Sequence, residues 1–326
     1  MSTPEAAQLV TDLAKAHIAA RCLHVAAELG LADVLGESGA SAAQLAAATG
    51  VDAGALQRLL RLLAAHGIFA ETPLGFEHND ASRLLRSDDP HSLRAYVRMT
   101  GMPAFWNGFG NLAAAARAGR PANDWRGLVA YFEEHPQEAA IFNAAMTVKS
   151  AVAVPAVLAA YDFARFARIA DVGGGRGHLL RAILDTNPSV QGVLFDLPHV
   201  IADAGAPTPR LQLVPGDFFS DRLPPADAYL LMDLLHDWDD GDAERILRAI
   251  RRAAAPGARL LIVETLTPDT PGPHFGKTLD IIMLAVTGGR ERRAPEFRAL
   301  LERAGFEIDR VIDTASAYSI LEAHAV

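Results

Sequence analysis

His236 stands where a histidine can do acid–base chemistry. It follows the run Asp227-Ala-Tyr-Leu-Leu-Met-Asp-Leu-Leu, which reads as a buried strand delivering the imidazole at its carboxyl end. Free imidazole titrates near pH 6.5 and phenol near pH 10, so a positioned histidine can take the proton of an aromatic hydroxyl as its oxygen attacks. A lone strand-end histidine more often caps a turn or faces water, but here it opens His236-Asp-Trp-Asp-Asp240 downstream of a glycine turn. A working imidazole needs an acceptor on its second nitrogen. Glu264 ends the strand Leu260-Leu-Ile-Val-Glu, and Glu291 lies in Gly288-Gly-Arg-Glu-Arg. Taken alone, Glu264 is equally a cap or surface acid, and Glu291 a salt-bridge partner of Arg290 and Arg292.

The glycine turn is Ile169-Ala-Asp-Val-Gly-Gly-Gly-Arg-Gly177, between an apolar strand and the helical run from His178. Glycine there frees the backbone dihedrals and lets a ligand approach without meeting a Cβ. A dinucleotide fingerprint starting at Gly173 would need glycine at 178, where His178 stands, and no Gly-Lys-Ser/Thr marks a nucleotide-triphosphate loop. Acids recur at successive strand ends: Asp171, Asp196 in Val193-Leu-Phe-Asp, and Asp217 in Gly216-Asp-Phe-Phe. An acid at 196 suits both hydroxyls of an unphosphorylated ribose, and Asp217 with Phe218 suits an adenine amino group and ring. Three acids would repel a pyrophosphate. They suit a cationic nucleoside such as S-adenosylmethionine.

Asp-Val-Gly-Gly-Gly-Arg-Gly (171 to 177), Phe-Asp-Leu-Pro-His-Val (195 to 200), Gly-Asp-Phe-Phe (216 to 219), Leu-His-Asp-Trp-Asp-Asp (235 to 240) and Gly-Gly-Arg-Glu-Arg (288 to 292) occur in that order. In this the chain resembles S-adenosylmethionine-dependent O-methyltransferases of the plant caffeate and bacterial polyketide-tailoring type, over nearly its whole length. The resemblance implies a doubly wound, Rossmann-like α/β sheet ending in an antiparallel hairpin, after a mainly helical, winged-helix-like dimerisation domain. It implies a cofactor site at Asp171, Gly173, Gly175, Asp196, Leu197, Gly216, Asp217, Phe218 and Trp238, and glutamates 264 and 291 flanking a His236 base. Phe142 and Met146, in Phe-Asn-Ala-Ala-Met, and Ile282 and Met283 match acceptor-lining positions; plain core packing is the alternative for the first two. Lys149 departs from the histidine usual in plant members, so it pairs with an anionic acceptor or points to solvent. Met232 replaces a lysine near the cofactor. Trp106 and Phe105 are acceptor candidates by position alone. The family also contains members repurposed for hydroxylation, decarboxylation or a pericyclic step, and N-methylation is a further alternative.

These residues need elements to hold them. The 326-residue chain is long enough for two domains, and half of it is hydrophobic. Expected divisions are 1–100 for dimerisation, 101–160 as a helical connector lining the acceptor pocket, and 161–326 as the catalytic domain. Strands are expected near 168–172, 191–195, 211–215, 227–233, 259–264, 305–312 and 316–323, with helices between the first five and a hairpin at the end. Asp239 and Asp240 should cap a helix from Ala243. Around Ser41 and Asp52 the pattern reads helix, turn at Gly50, helix, short strand, which raises a DNA-binding alternative. Residues 1–100 hold 8 Lys and Arg against 11 Asp and Glu, and the whole chain carries a net charge of −9, so the basic footprint for nucleic acid is missing. The single cysteine, Cys22, cannot form an internal disulfide. No metal-binding histidine pairing, leader or membrane-length apolar run is expected, leaving a cytoplasmic homodimer acting on a small aromatic acceptor.

Overall fold

A computed structural model describes residues 2–326. The chain divides into two compact units, Met1–Trp106 with His135–Val148, and Asn107–Glu134 with Lys149–Val326.

The first unit begins with α1 (Thr3–Glu28), α2 (Leu31–Leu35), α3 (Ala42–Thr49) and α4 (Ala53–Ala65). A hairpin of β1 (Ala70–Thr72) and β2 (Gly75–Glu77) follows, then α5 (Asp80–Arg83) and α6 (Arg94–Gly101). The expected caps are present: Ser41 accepts from the Gln44 N–H and Asp52 from the Ala55 N–H. Leu56, Leu60 and Leu63 share one face of α4 and pack with Leu31, Leu45, Phe69 and Phe76. The basic residues here are largely matched by acids, Arg61 with Glu71, and Arg83 and Arg86 with Glu37.

Next come α7 (Pro103–Gly110), α8 (Leu112–Ala118), α9 (Trp125–Glu134) and α10 (Pro136–Ala160). The expected connector is not a unit of its own: α8 and α9 belong to the second unit, and the division falls inside α10. Helix α10 is long and apolar enough to cross a membrane by length and composition alone, although Lys149 interrupts its apolar run. Ala153, Val154 and Val157 of its second half instead pack into the core of the sheet.

That sheet is built from β3 (Arg168–Val172), β4 (Gln191–Asp196), β5 (Leu211–Pro215), β6 (Ala228–Met232), β7 (Arg259–Glu264), β8 (Phe306–Asp313) and β9 (Ser319–Ala325). The order is β5-β4-β3-β6-β7-β9-β8, with β9 antiparallel to both neighbours, which confirms the terminal hairpin. Five further helices are α11 (His178–Thr186), α12 (Pro198–Asp203), α13 (Asp240–Ala253), α14 (Phe275–Ile282) and α15 (Ala294–Arg303). Ala170, Val172, Tyr229, Leu231, Leu260 and Ile262 face one core, while Ile169, Leu230, Leu261 and Val263 face the other. Burial on both sides explains why the parallel strands read as unbroken apolar runs. The strand order reverses between β3 and β6, so their carboxyl ends flank the crevice where such sheets take ligands.

Two expectations are corrected. No helix joins β5 to β6; residues 216–227 form turns in which Asp217 accepts from the Phe219 N–H, and Pro224 and Pro225 remove two donors. Helix α13 starts at Asp240 rather than Ala243: Asp239 alone caps it, through the Asp242 N–H, and Asp240 turns to Arg292.

Candidate active site

Beyond β3 the chain turns through Gly173, Gly175 and Gly177, all with positive φ (68°, 60° and 73°). A Cβ at Gly173 would strike Leu234 and one at Gly174 the Asp171 carboxylate, whereas Gly175 faces open space. Asp196, ending β4, ties the turn down by accepting from the Gly175 N–H at 2.8 Å and the Leu197 N–H at 2.7 Å. Asp171 is 2% exposed, and its Oδ1 has no hydrogen-bond partner. Burial, and then the neighbouring Asp196, push Asp171 up to about 7; burial also raises Asp196. The unsatisfied buried carboxyl oxygen of Asp171 beside an open glycine turn fits a cationic ligand that supplies donors. Gly216 packs so closely on the Phe195 ring that a Cβ would collide with it, and Asp217 Oδ1 holds its own turn. Trp238 is buried edge-on to Phe218 and Phe219, with the Arg126 guanidinium 4.9 Å from its ring.

His236 lies one strand over, on a short turn after β6. Its Nδ1 is 2.7 Å from Glu291 Oε1 and 3.6 Å from Glu264 Oε2. A carboxylate at Nδ1 selects the tautomer with the proton there, leaving Nε2 as the acceptor. Glu264 Oε1 accepts from the Leu234, Leu235 and His236 N–H groups, so this acid also holds the turn carrying the imidazole. Burial opposes the imidazolium, but Glu264, Glu291 and Asp237 outweigh it and raise His236 to about 10. Burial in turn raises Glu264 to about 7, against the pull of His236.

Two supports were not legible beforehand. Arg292 is buried and donates to the Leu235 and Trp238 carbonyls and to Asp240, clamping the loop from His236 to α13. Gly289 runs so close to the His236 carbonyl that any Cβ would overlap it, and the Arg290 N–H donates to that same carbonyl. The doubled glycine of Gly288-Gly-Arg-Glu-Arg was the available signal.

Lys149 does not point to solvent. Its Nζ pairs with Asp233 Oδ1 at 3.0 Å and lies 5.8 Å from the Tyr318 ring, whose hydroxyl donates to Asp233 Oδ2 at 2.8 Å. Asp233, His236 and Glu264 bring possible metal-ligating atoms within 4.8 Å of one another. Each already has protein partners: Lys149 on Asp233, Glu291 on His236, backbone N–H groups on Glu264.

In the second unit Met283 is buried, its sulfur accepting from the Thr287 hydroxyl, while Ile282 is half-buried and Asp280 accepts from the Glu291 N–H. In the first unit Phe142 and Met146 are half-buried, Phe142 6.3 Å from the buried Phe105. Trp106 is held edge-on to His24, with the Arg21 guanidinium over its face.

Residues 109–307 match the O-methyltransferase domain, and residues 11–88 the O-methyltransferase dimerisation domain. The chain belongs to the O-methyltransferase family. Its cofactor is S-adenosylmethionine, and it is an S-adenosylmethionine-dependent O-methyltransferase by family. A phenazine O-methyltransferase of Lysobacter antibioticus is 39% identical over 93% of this chain and 92% of its own. An 8-amino-8-demethylriboflavin N,N-dimethyltransferase of Streptomyces davaonensis is 37% identical over 92% and 90%. An O-methyltransferase from neocarzinostatin biosynthesis, solved with S-adenosylmethionine and 2-hydroxy-5-methyl naphthoic acid, superposes with a TM-score of 0.81 at 31% identity, covering 94% of this chain and 96% of that one.

Proposed function

We propose that this O-methyltransferase methylates a phenolic hydroxyl of an aromatic secondary metabolite, with His236 as general base. The observation that carries the reading is the buried Glu291–His236 hydrogen bond of 2.7 Å at the carboxyl edge of the sheet, beside the glycine turn. Glu291 holds the Nδ1 proton and leaves Nε2 to receive the phenol proton as the oxygen–methyl bond forms. A base raised toward the ordinary phenol range makes that transfer nearly thermoneutral. S-adenosylmethionine supplies the electrophilic methyl on its sulfonium and leaves as S-adenosylhomocysteine.

Asp171, Gly173, Gly175, Asp196, Leu197, Gly216, Asp217, Phe218 and Trp238 are assigned to the cofactor. The unpartnered Asp171 oxygen and the open side of Gly175 support this. Ile282 and Met283, in the second unit, are assigned to the acceptor, and Lys149 is read as the partner of Asp233 rather than of the acceptor. The dimerisation-domain match, and Leu9, Val10 and Leu13 exposed on α1, support a homodimer.

An oxygen acceptor is favoured over nitrogen because a phenol must lose its proton as it attacks, and a positioned, carboxylate-backed base answers that need. The test is a matched set of aromatic scaffolds carrying either a hydroxyl or an amine, incubated with S-adenosylmethionine and analysed by mass spectrometry. Methyl ethers from the hydroxyl series are expected. Methylation confined to the amines would overturn the reading, and product without any methyl transfer would indicate repurposed chemistry.

A further inference from the structure

Asp233 is unusual in both backbone and surroundings. It is a non-glycine residue in the left-handed region, with φ at 50°, directly after β6. Such a conformation is strained for a residue with a Cβ and persists where the surroundings hold it, often at functional sites. Here Lys149 and Tyr318 hold it, one on each carboxylate oxygen. The Oδ1 paired with Lys149 also lies 4.0 Å from His236 Nδ1. Asp233 and Asp237 face the imidazole from its own turn, Glu264 from β7 and Glu291 from the glycine loop. Lys149 reaches this ring of acids from α10, Tyr318 through Asp233, and Arg292 acts on Glu264.

Four carboxyl groups around one imidazole create a problem for a base. Each ionised neighbour within about 4–6 Å makes the imidazolium harder to deprotonate, by about 1–3 pH units in similar settings. A histidine held permanently as imidazolium cannot accept a proton from phenol. We propose that Lys149 is a positioning residue for methyl transfer: paired with Asp233, it cancels one charge of the carboxyl ring and keeps His236 able to exchange its proton. Tyr318 fixes the Asp233 carboxylate between the two cations. The inference rests on His236 being the base.

The test titrates His236 directly, by NMR of full-length protein labelled at histidine, with its resonance assigned by its loss in His236→Ala. Asp233→Asn should lower the His236 midpoint by about 1 unit or more, because an acid is lost and Lys149 remains. Lys149→Met should raise it by a similar amount, because Asp233 is left uncompensated. The double variant, neutral at both positions, should return to within about 0.5 unit of the wild type. Tyr318→Phe, which keeps both charges, should move it less than either single change. Single variants that leave the midpoint within about 0.3 unit, or that move it in the same direction, would overturn the proposal in favour of a purely structural pair. Lys149→Met keeps Asp233 and its Tyr318 hydrogen bond, and carries the test should Asp233→Asn fail to fold. The titration itself needs no acceptor; opposite shifts, together with undiminished methyl transfer by His236→Ala in a separate assay with a phenolic acceptor, would refute the base assignment and leave the charge pair standing.

Discussion

Glu291 Oε1 meets His236 Nδ1 at 2.7 Å with both side chains shut off from water. The charge of that carboxylate stabilises the imidazolium formed as the acceptor is deprotonated, while its geometry fixes the tautomer. Glu291→Gln keeps the shape and loses the charge. We expect kcat to fall about 100-fold or more with S-adenosylmethionine affinity unchanged, measured by steady-state methyl transfer and calorimetry. A change in kcat under about threefold would remove Glu291 from the mechanism.

Glu264 holds the turn as well as facing the imidazole. Three backbone N–H groups converge on its Oε1, and Glu264→Ala leaves them without that acceptor in a buried site. The expected loss is about 2–3 kcal/mol of stability in urea unfolding, with Glu264→Gln losing less because an amide oxygen still accepts. Equal stability of both variants and wild type would contradict this role.

The pH dependence follows from His236 titrating near 10 rather than 6.5. The base is active when neutral, so kcat/KM should climb from pH 7 and level off only near pH 10. The stability linkage has the opposite sense: a raised folded-state value gives stabilisation that is full below about pH 6.5 and is lost as pH rises through about 10. A profile already flat above pH 7 would mean that the carboxylates do not hold the imidazolium.

At the cofactor site, Asp171 is raised by burial and by Asp196 to about 7. Its ionised form is the one that attracts a cation, so S-adenosylmethionine affinity should rise between about pH 6 and 8, and Asp171→Asn should flatten the trend. Asp196→Ala should weaken binding by at least about 1 kcal/mol. Calorimetric titration checks both, and pH-independent binding by the wild type would contradict the first.

Much of this architecture is legible in the chain because strong local signals agree with the tertiary ones. Apolar runs ending in Asp171, Asp196 and Glu264 mark strands buried on both faces, and the glycines at 173, 175 and 177 occupy the positive-φ positions. The Glu291–His236 contact could be expected from motif order, although 55 residues separate the two. What sequence cannot supply is the partner of a charge. Lys149 reads as an acceptor contact or a solvated lysine because Asp233 and Tyr318 reach it only through the strand order β6-β7-β9. Arg292 reads as one of three neighbouring arginines, and only the folded loop shows it clamping two carbonyls. The missing helix between β5 and β6 is a lesson in Pro224-Pro225 and the Asp217 turn, whose local hydrogen bond competes with helix formation.

The most direct test compares wild type with His236→Ala on two acceptors of the same scaffold. One is a phenol titrating near 10, and the other is a nitrophenol already ionised at neutral pH. The account expects His236→Ala to lose about 100- to 10,000-fold in single-turnover methyl transfer to the ordinary phenol, and little with the ionised one, which needs no base. Equal loss on both acceptors, or undiminished transfer to the ordinary phenol, would contradict His236 as the general base.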